Sequence, residues 1–118
     1  MDFLDRLLGH DRWTTARLLD LSHNLTDAQL DQPFDIGVGT LRETFEHMIF
    51  NVEAWTASMA GQPLDAPRDD RSLAALIDRH ERAYETFAAF AHRMRDEQRL
   101  DDTFVDNAEW RNSFGGAI

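Results

Sequence analysis

Apolar positions recur at the spacing of one helical face over three stretches of the chain. In the first, Phe3, Leu4, Leu7, Leu8, Leu18 and Leu21 form a stripe that predicts a helix from about Asp2 to Ser22. Asp11 breaks the centre of that stripe, with His10 at its edge. An interruption follows in "HNLTDAQLDQPFDIGVGT", where Asp27 can cap a single turn, Pro33 stops it, and Gly37 and Gly39 free the backbone. "TLRE" then has the form of a capping box, Thr40 with Glu43, opening a second helix that runs to about Ala60. Its apolar face is Leu41, Phe45, Met48, Ile49, Val52, Trp55 and Met59, and Gly61 supplies the C-terminal cap signal.

After the loop "GQPLDAPRDDR", a third helix begins near Arg71 or Ser72 and continues to about Met94. Leu73, Leu76, Ile77, Ala83, Tyr84, Phe87, Ala91 and Met94 share one of its faces. "DDTFVDNAEWRNS" reads as a short irregular excursion or weak hairpin around Asp106 and Asn107. In "NSFGGAI", Asn112 or Ser113 can cap an opening helical turn in which Phe114 and Ile118 stand four residues apart. Three amphipathic helices of about 20 residues, each about 30 Å long, predict an all-α, up-and-down four-helix bundle. It is expected to be a single domain over residues 1–118, C-terminally incomplete, with the fourth helix largely missing.

At 118 residues the chain is one domain at most, and such a domain buries roughly two thirds of its unfolded surface. A missing element is therefore costly. The formal net charge of −10 repels phosphate backbones and anionic lipid alike, so neither nucleic acid nor a membrane is expected as a partner. With no cysteine, thiolate ligands, disulfides and a cysteine nucleophile are excluded, and any metal must rest on His, Asp, Glu or Asn. "MDFLDRLLGHDRW" carries acids where a secretory signal needs bases, and no apolar run reaches membrane-spanning length. The expected location is the cytoplasm.

Beside the apolar face of the second helix lies a polar row, Thr44, His47, Asn51 and Ser58, with separations of three, four and seven residues. One reading is a solvated or lightly hydrogen-bonded helix edge. The other makes His47 a metal ligand in a polar pocket between helices, with Asn51 one turn away in support. His80 sits nearer the middle of its apolar face, where a core histidine bonded to a backbone carbonyl or to Tyr84 competes with a role in a site. Asp11 must meet a donor such as His80, His10 or Asn51, or else line a wet pocket. Asp11, His10, His47 and His80 are the ionisable groups on or bordering inward faces; Trp55 is a candidate pocket wall. His23 and His92 receive no role. There is no glycine-rich phosphate loop, nucleophile elbow or paired-histidine protease motif.

"LLGHDRWTTARLLD" followed by "LTDAQLDQPFDIGVGTLRETFEHMIFNVEAW" resembles the first two helices of the DinB/YfiT-like family of small bacterial four-helix bundles. Gly39, Thr40, Leu41 and Arg42 match its helix start, His47 matches its second-helix metal ligand, and Glu53 fits the segment after that histidine. His10 falls where many relatives carry tyrosine. The resemblance is strongest from Leu7 to Trp55 and generic over the third helix. It implies a divalent metal such as zinc, nickel or iron, with two further histidines spaced four apart on a fourth helix, and "NSFGGAI" looks like the entrance to that helix.

By the same resemblance the implied chemistry is thiol transfer or a related metal-assisted reaction, including hydrolysis, on a small-molecule substrate, with a low-molecular-weight thiol as a candidate cosubstrate. His47 would ligate, Asn51 would support it, and His10, Asp11, Trp55 and His80 would shape the pocket. The chain alone is then expected to be inactive and without its metal unless another chain completes the site. The competing expectation is a non-catalytic bundle that forms a homodimer, or docks a partner helix, in its open groove.

Overall fold

The computed structural model describes residues 2–64, 69–106 and 108–118. Three long helices, α1 (Phe3–Leu21), α3 (Leu41–Ala60) and α4 (Leu73–Asp96), carry the fold. Between α1 and α3 lies the single turn α2 (Asp27–Leu30), and after α4 come strands β1 (Thr103–Val105) and β2 (Arg111–Ser113) and the turn α5 (Phe114–Ala117). The all-α bundle expected from the apolar periodicity is what forms. No helix among the described residues is long and apolar enough to cross a membrane.

The ends of the helices follow from local chemistry. Asp2 and Asp5 exchange side chain-to-backbone bonds at the start of α1, so two otherwise unpaired amides are satisfied. The turn α2 is capped by Thr26, with Gln29 reaching back, and not by Asp27 as the sequence suggested. At α3 the Thr40 hydroxyl accepts from the Glu43 amide at 3.0 Å, one arm of the expected box. Gly61 ends the helix in the left-handed region at φ 66°, a conformation that costs a residue with a Cβ. Ser72 caps α4, which runs two residues past Met94 and places Arg93 and Arg95 in its last turn, where cations suit the helix dipole.

Ion pairs fix the directions of the helices. Glu46 pairs with Arg71 and Glu53 with Arg79, so α3 and α4 run the same way. Arg12 meets Glu81 and Asp5 meets His92, so α1 runs against α4. The directions are up, down, down, so the bundle is helical as expected, but the up-and-down alternation expected from the sequence does not hold between α3 and α4. The connection between α3 and α4 therefore has to return along the bundle. Residues 65–68 of "GQPLDAPRDDR" lie outside the described residues. A cleft of about 1190 Å³ runs between the described part of that connection and the outer faces of α3 and α4.

Two apolar clusters fill the interior. Leu19, Phe45, Ile49, Leu76 and Ala83 join the three helices at one end. Leu8, Met59, Tyr84, Phe87, Phe90, Ala91, Met94 and Phe114 do so at the other. The hairpin packs over this second end, with Phe104 edge-on to Trp55 at 5.9 Å and tilted against Phe114 at 5.7 Å. Its turn is organised by Asp106, whose carboxylate accepts from the amides of Ala108 and Trp110 and from Asn112 Nδ2. Asn107, expected in the same turn, lies outside the described residues. Ser113, the second of the two candidate caps, closes α5 by accepting from the Gly116 amide at 3.0 Å.

Candidate functional site

The ion pairs also sort the flanks of each helix. On α3, Glu46 and Glu53 face α4, so the opposite flank, which carries Thr44, His47, Asn51, Trp55 and Ser58, borders the side open between α1 and α3. On α1, Asp5 and Arg12 face the far flank of α4, and Leu7, Asp11 and Leu18 border the same open side. The middle of the inner face of α4, with His80 and Tyr84, lies buried beneath. His47, Asn51, Trp55 and Asp11 thus border the same side of the helices, whereas His10, expected on an inward edge, lies on the solvent face of α1.

Their environments differ. His47 and Asn51 are exposed on the α3 rim, and Trp55 is 37 % exposed and packs perpendicular to Phe104 of the hairpin. His10 is exposed and stacks on Trp13, with ring centroids 6.5 Å apart. Asp11 finds a donor that the sequence reading did not name: the Tyr84 hydroxyl donates to its Oδ2. The reason is helical geometry, since Tyr84 lies one turn beyond His80 on the face against which α1 packs. Burial, and then the Asp11 carboxylate, push the Tyr84 phenol above its ordinary range, so it stays a donor.

His80 is 1 % exposed, and its ring lies 4.8 Å from that of Tyr84, centroid to centroid. Its Nδ1 stands 4.0 Å from Glu81 Oε1, beyond hydrogen-bond reach, and its Nε2 is buried with no hydrogen-bond partner. Of the two bonded partners expected for a core histidine, the ring meets Tyr84 by packing alone. Burial lowers its pKa, opposed by Glu81 and Asp11, so the ring is held neutral. Glu81 is itself held low by the Arg12 guanidinium that bonds it.

Two residues to which the sequence reading gave no structural role carry structure near the site. Arg42, with a 6 % exposed side chain, donates to Asp31 Oδ1 at 2.7 Å, to Asp27 Oδ1 at 2.8 Å and to the Arg71 carbonyl. It ties the α1–α3 connection and the start of α4 to α3. Its position inside the Gly-Thr-Leu-Arg helix start was the available signal. His92, given no role, bonds Asp5 Oδ1 through Nε2 at 2.7 Å.

The sequence model of the DinB superfamily matches residues 10–117, nearly the whole chain. The chain belongs to the DinB superfamily. No curated protein matches it. Metal binding is common in this superfamily, and His47 stands on the groove rim where the resemblance puts a ligand. The surrounding residues do not fit a metal: among the described residues no three His, Cys, Asp or Glu side chains come together to hold one. A single exposed imidazole supplies one of the three or four donors that a zinc, nickel or iron site needs. The cleft under the α3–α4 connection lies on the opposite flank of α3, lined by Glu53 and Arg79, and contains none of these candidates.

Proposed function

We propose that this DinB superfamily chain presents the groove between α1 and α3 as its working face, and that its chemistry is divalent-metal-dependent, of thiol-transferase or hydrolase type, once further ligands join His47. What supports this reading is membership of the DinB superfamily, in which metal binding is common, together with the exposed His47 at the position where the resemblance puts a ligand. In this reading His47 provides one imidazole donor, Asn51 hydrogen-bonds from one turn away, and Asp11 and Trp55 border the substrate. With His47 as its only donor, a metal is held too weakly to be retained in dilute solution. A small-molecule substrate, with a low-molecular-weight thiol as cosubstrate, suits a groove that combines aromatic and polar walls.

A second reading is supported by the exposed Leu7 and Leu18 along the same groove, which suit a non-catalytic bundle that dimerises or docks a helix there. One pair of measurements separates the two. Zinc titration of the purified chain is expected to give weak binding that disappears in His47→Ala. Tight stoichiometric metal unaffected by His47→Ala would overturn the assignment of His47. Sedimentation velocity that shows a monomer at all concentrations would remove the second reading.

A further inference from the structure

The cleft between the outer faces of α3 and α4 has a chemistry of its own. Its volume of about 1190 Å³ is room enough for a small-molecule ligand. Ala57 and Ala60 from α3 and Ala83 and Ala89 from α4 line it without filling it, and Pro63 and Leu64 border it beyond the end of α3. The charges along it are sorted. Toward the start of α4 each lining cation has a carboxylate: Arg79 bonds Glu53 and Arg82 bonds Asp78, while the Asp70 carboxylate accepts from the Ser72 amide. Arg93, about 21 Å further along the helix than Arg79, differs. It makes no ion pair among the described residues, in a chain with 22 acidic side chains against 12 basic ones. Its guanidinium stands over the buried Phe90 ring, Cζ 5.4 Å from the centroid, a stack that covers one face and leaves the N–H edge free. The remaining acids of the lining are distant: Glu85 lies two turns before Arg93, and Asp69 precedes α4.

An oriented guanidinium without a partner, at the end of a cleft walled by alanines, suits one anionic group carried on a hydrocarbon body. The net charge of −10 and the acids elsewhere in the lining repel a polyanion such as a nucleotide. We propose that this cleft binds a small amphiphilic monocarboxylate. The carboxylate accepts from the N–H edge of Arg93, and the alkyl chain runs back past Ala89 and Leu64 toward Ala60 and Ala57. The site lies on the flank of α3 opposite His47 and shares none of its neighbours, so it stands whether or not His47 proves to be a ligand.

The test is an NMR titration of the nitrogen-labelled chain with sodium butyrate, hexanoate and octanoate, each below its aggregation threshold, with 1-hexanol as the uncharged control. The expected result is a saturable shift of the Arg93 Nε–H signal and of the Ala60 and Ala89 amides, with midpoints that tighten roughly two- to fourfold for each added methylene. Arg93→Gln should weaken hexanoate by at least about fivefold and leave 1-hexanol unchanged, whereas Ala60→Leu, which fills the cleft, should weaken both. Hexanoate that binds no more tightly than 1-hexanol, or equally well to Arg93→Gln, would overturn the proposal, since the charge would then be irrelevant. Midpoints independent of chain length would overturn it too, as would shifts confined to the amides of α1, which would place the ligand on the exposed apolar residues of that helix instead.

Discussion

Arg79 lies across Glu53 as a two-toothed pair, Nη2 to Oε1 at 2.5 Å and Nε to Oε2 at 3.0 Å, with each side chain 14 % exposed. Helices joined by a tight turn lie antiparallel; here the pair holds α3 and α4 in parallel register. Desolvation offsets much of the attraction, so the pair matters more for what happens when one half is removed. Glu53→Ala leaves a guanidinium in a half-buried position and is expected to cost about 1–3 kcal/mol, read as the urea midpoint. Replacing both residues with Met should recover most of that loss; a double variant no better than the single one would show that the ionic contact itself is needed.

The Tyr84 hydroxyl and the Asp11 carboxylate offer a cleaner measurement. A hydrogen bond to a charged group is worth about 1.5–3 kcal/mol, reduced here because Asp11 is exposed. Tyr84→Phe and Asp11→Ala should each destabilise by about 1 kcal/mol, and a double-mutant cycle should return a coupling of at least about 0.5 kcal/mol. Strict additivity would mean that the contact contributes nothing.

His80 predicts how stability changes on mild acidification. Burial places its folded pKa below the unfolded value near 6.5, so the unfolded chain takes up the proton first. Its contribution is complete above about pH 6.5 and is lost as pH falls through the folded pKa, with a limiting slope of about 1.4 kcal/mol per pH unit for one proton. The carboxylates held low by their partners, Asp5, Asp31 and Glu81, add losses of the same sign, but at lower pH, beneath the ordinary carboxylate range. Urea midpoints from pH 7.5 to 5.5 should therefore fall in the parent and much less in His80→Phe. Parallel curves would show that His80 does not titrate differently on folding.

Arg42 is expected to be the most sensitive polar position. Arg42→Met keeps the volume but frees the carboxylates of Asp31 and Asp27 and the Arg71 carbonyl together. The expected cost is about 2–4 kcal/mol, with faster proteolytic cleavage between residues 22 and 40. Wild-type protease resistance in this variant would assign the tie to packing.

The helices were legible because their apolar spacing is a local property, and their extents came out within about two residues. The direction of α4 was not, because it depends on how far a connection travels, and no residue in "GQPLDAPRDDR" records distance. The same limit applied to Asp11. Sequence placed it on an inward face in need of a donor, but which of two residues one turn apart on α4 would meet it is set by the crossing of α1 over α4. His80 was read as buried, and is; its unpartnered nitrogen was invisible, since hydrogen-bond satisfaction is a three-dimensional property. His47 was legible as a candidate only through its neighbours in the helix start, and its surroundings in space carry no second ligand among the described residues.

The parallel course of α3 and α4 has a kinetic consequence. Their ion pairs join residues 25 and 26 apart in sequence, whereas α1 meets α4 through bonds that span 69, 73 and 87 residues. Closing the longer loops costs about 0.9 kcal/mol more in chain entropy on a logarithmic scale. The α3–α4 pair is then the early-forming unit, and α1 arrives last. By the same balance it leaves first, so amides of α1 should exchange with solvent through openings that leave α3 and α4 intact. A helix that lifts away as one piece gives the buried Tyr84 and His80 an intermittent route to water, and makes their accessibility a matter of opening frequency.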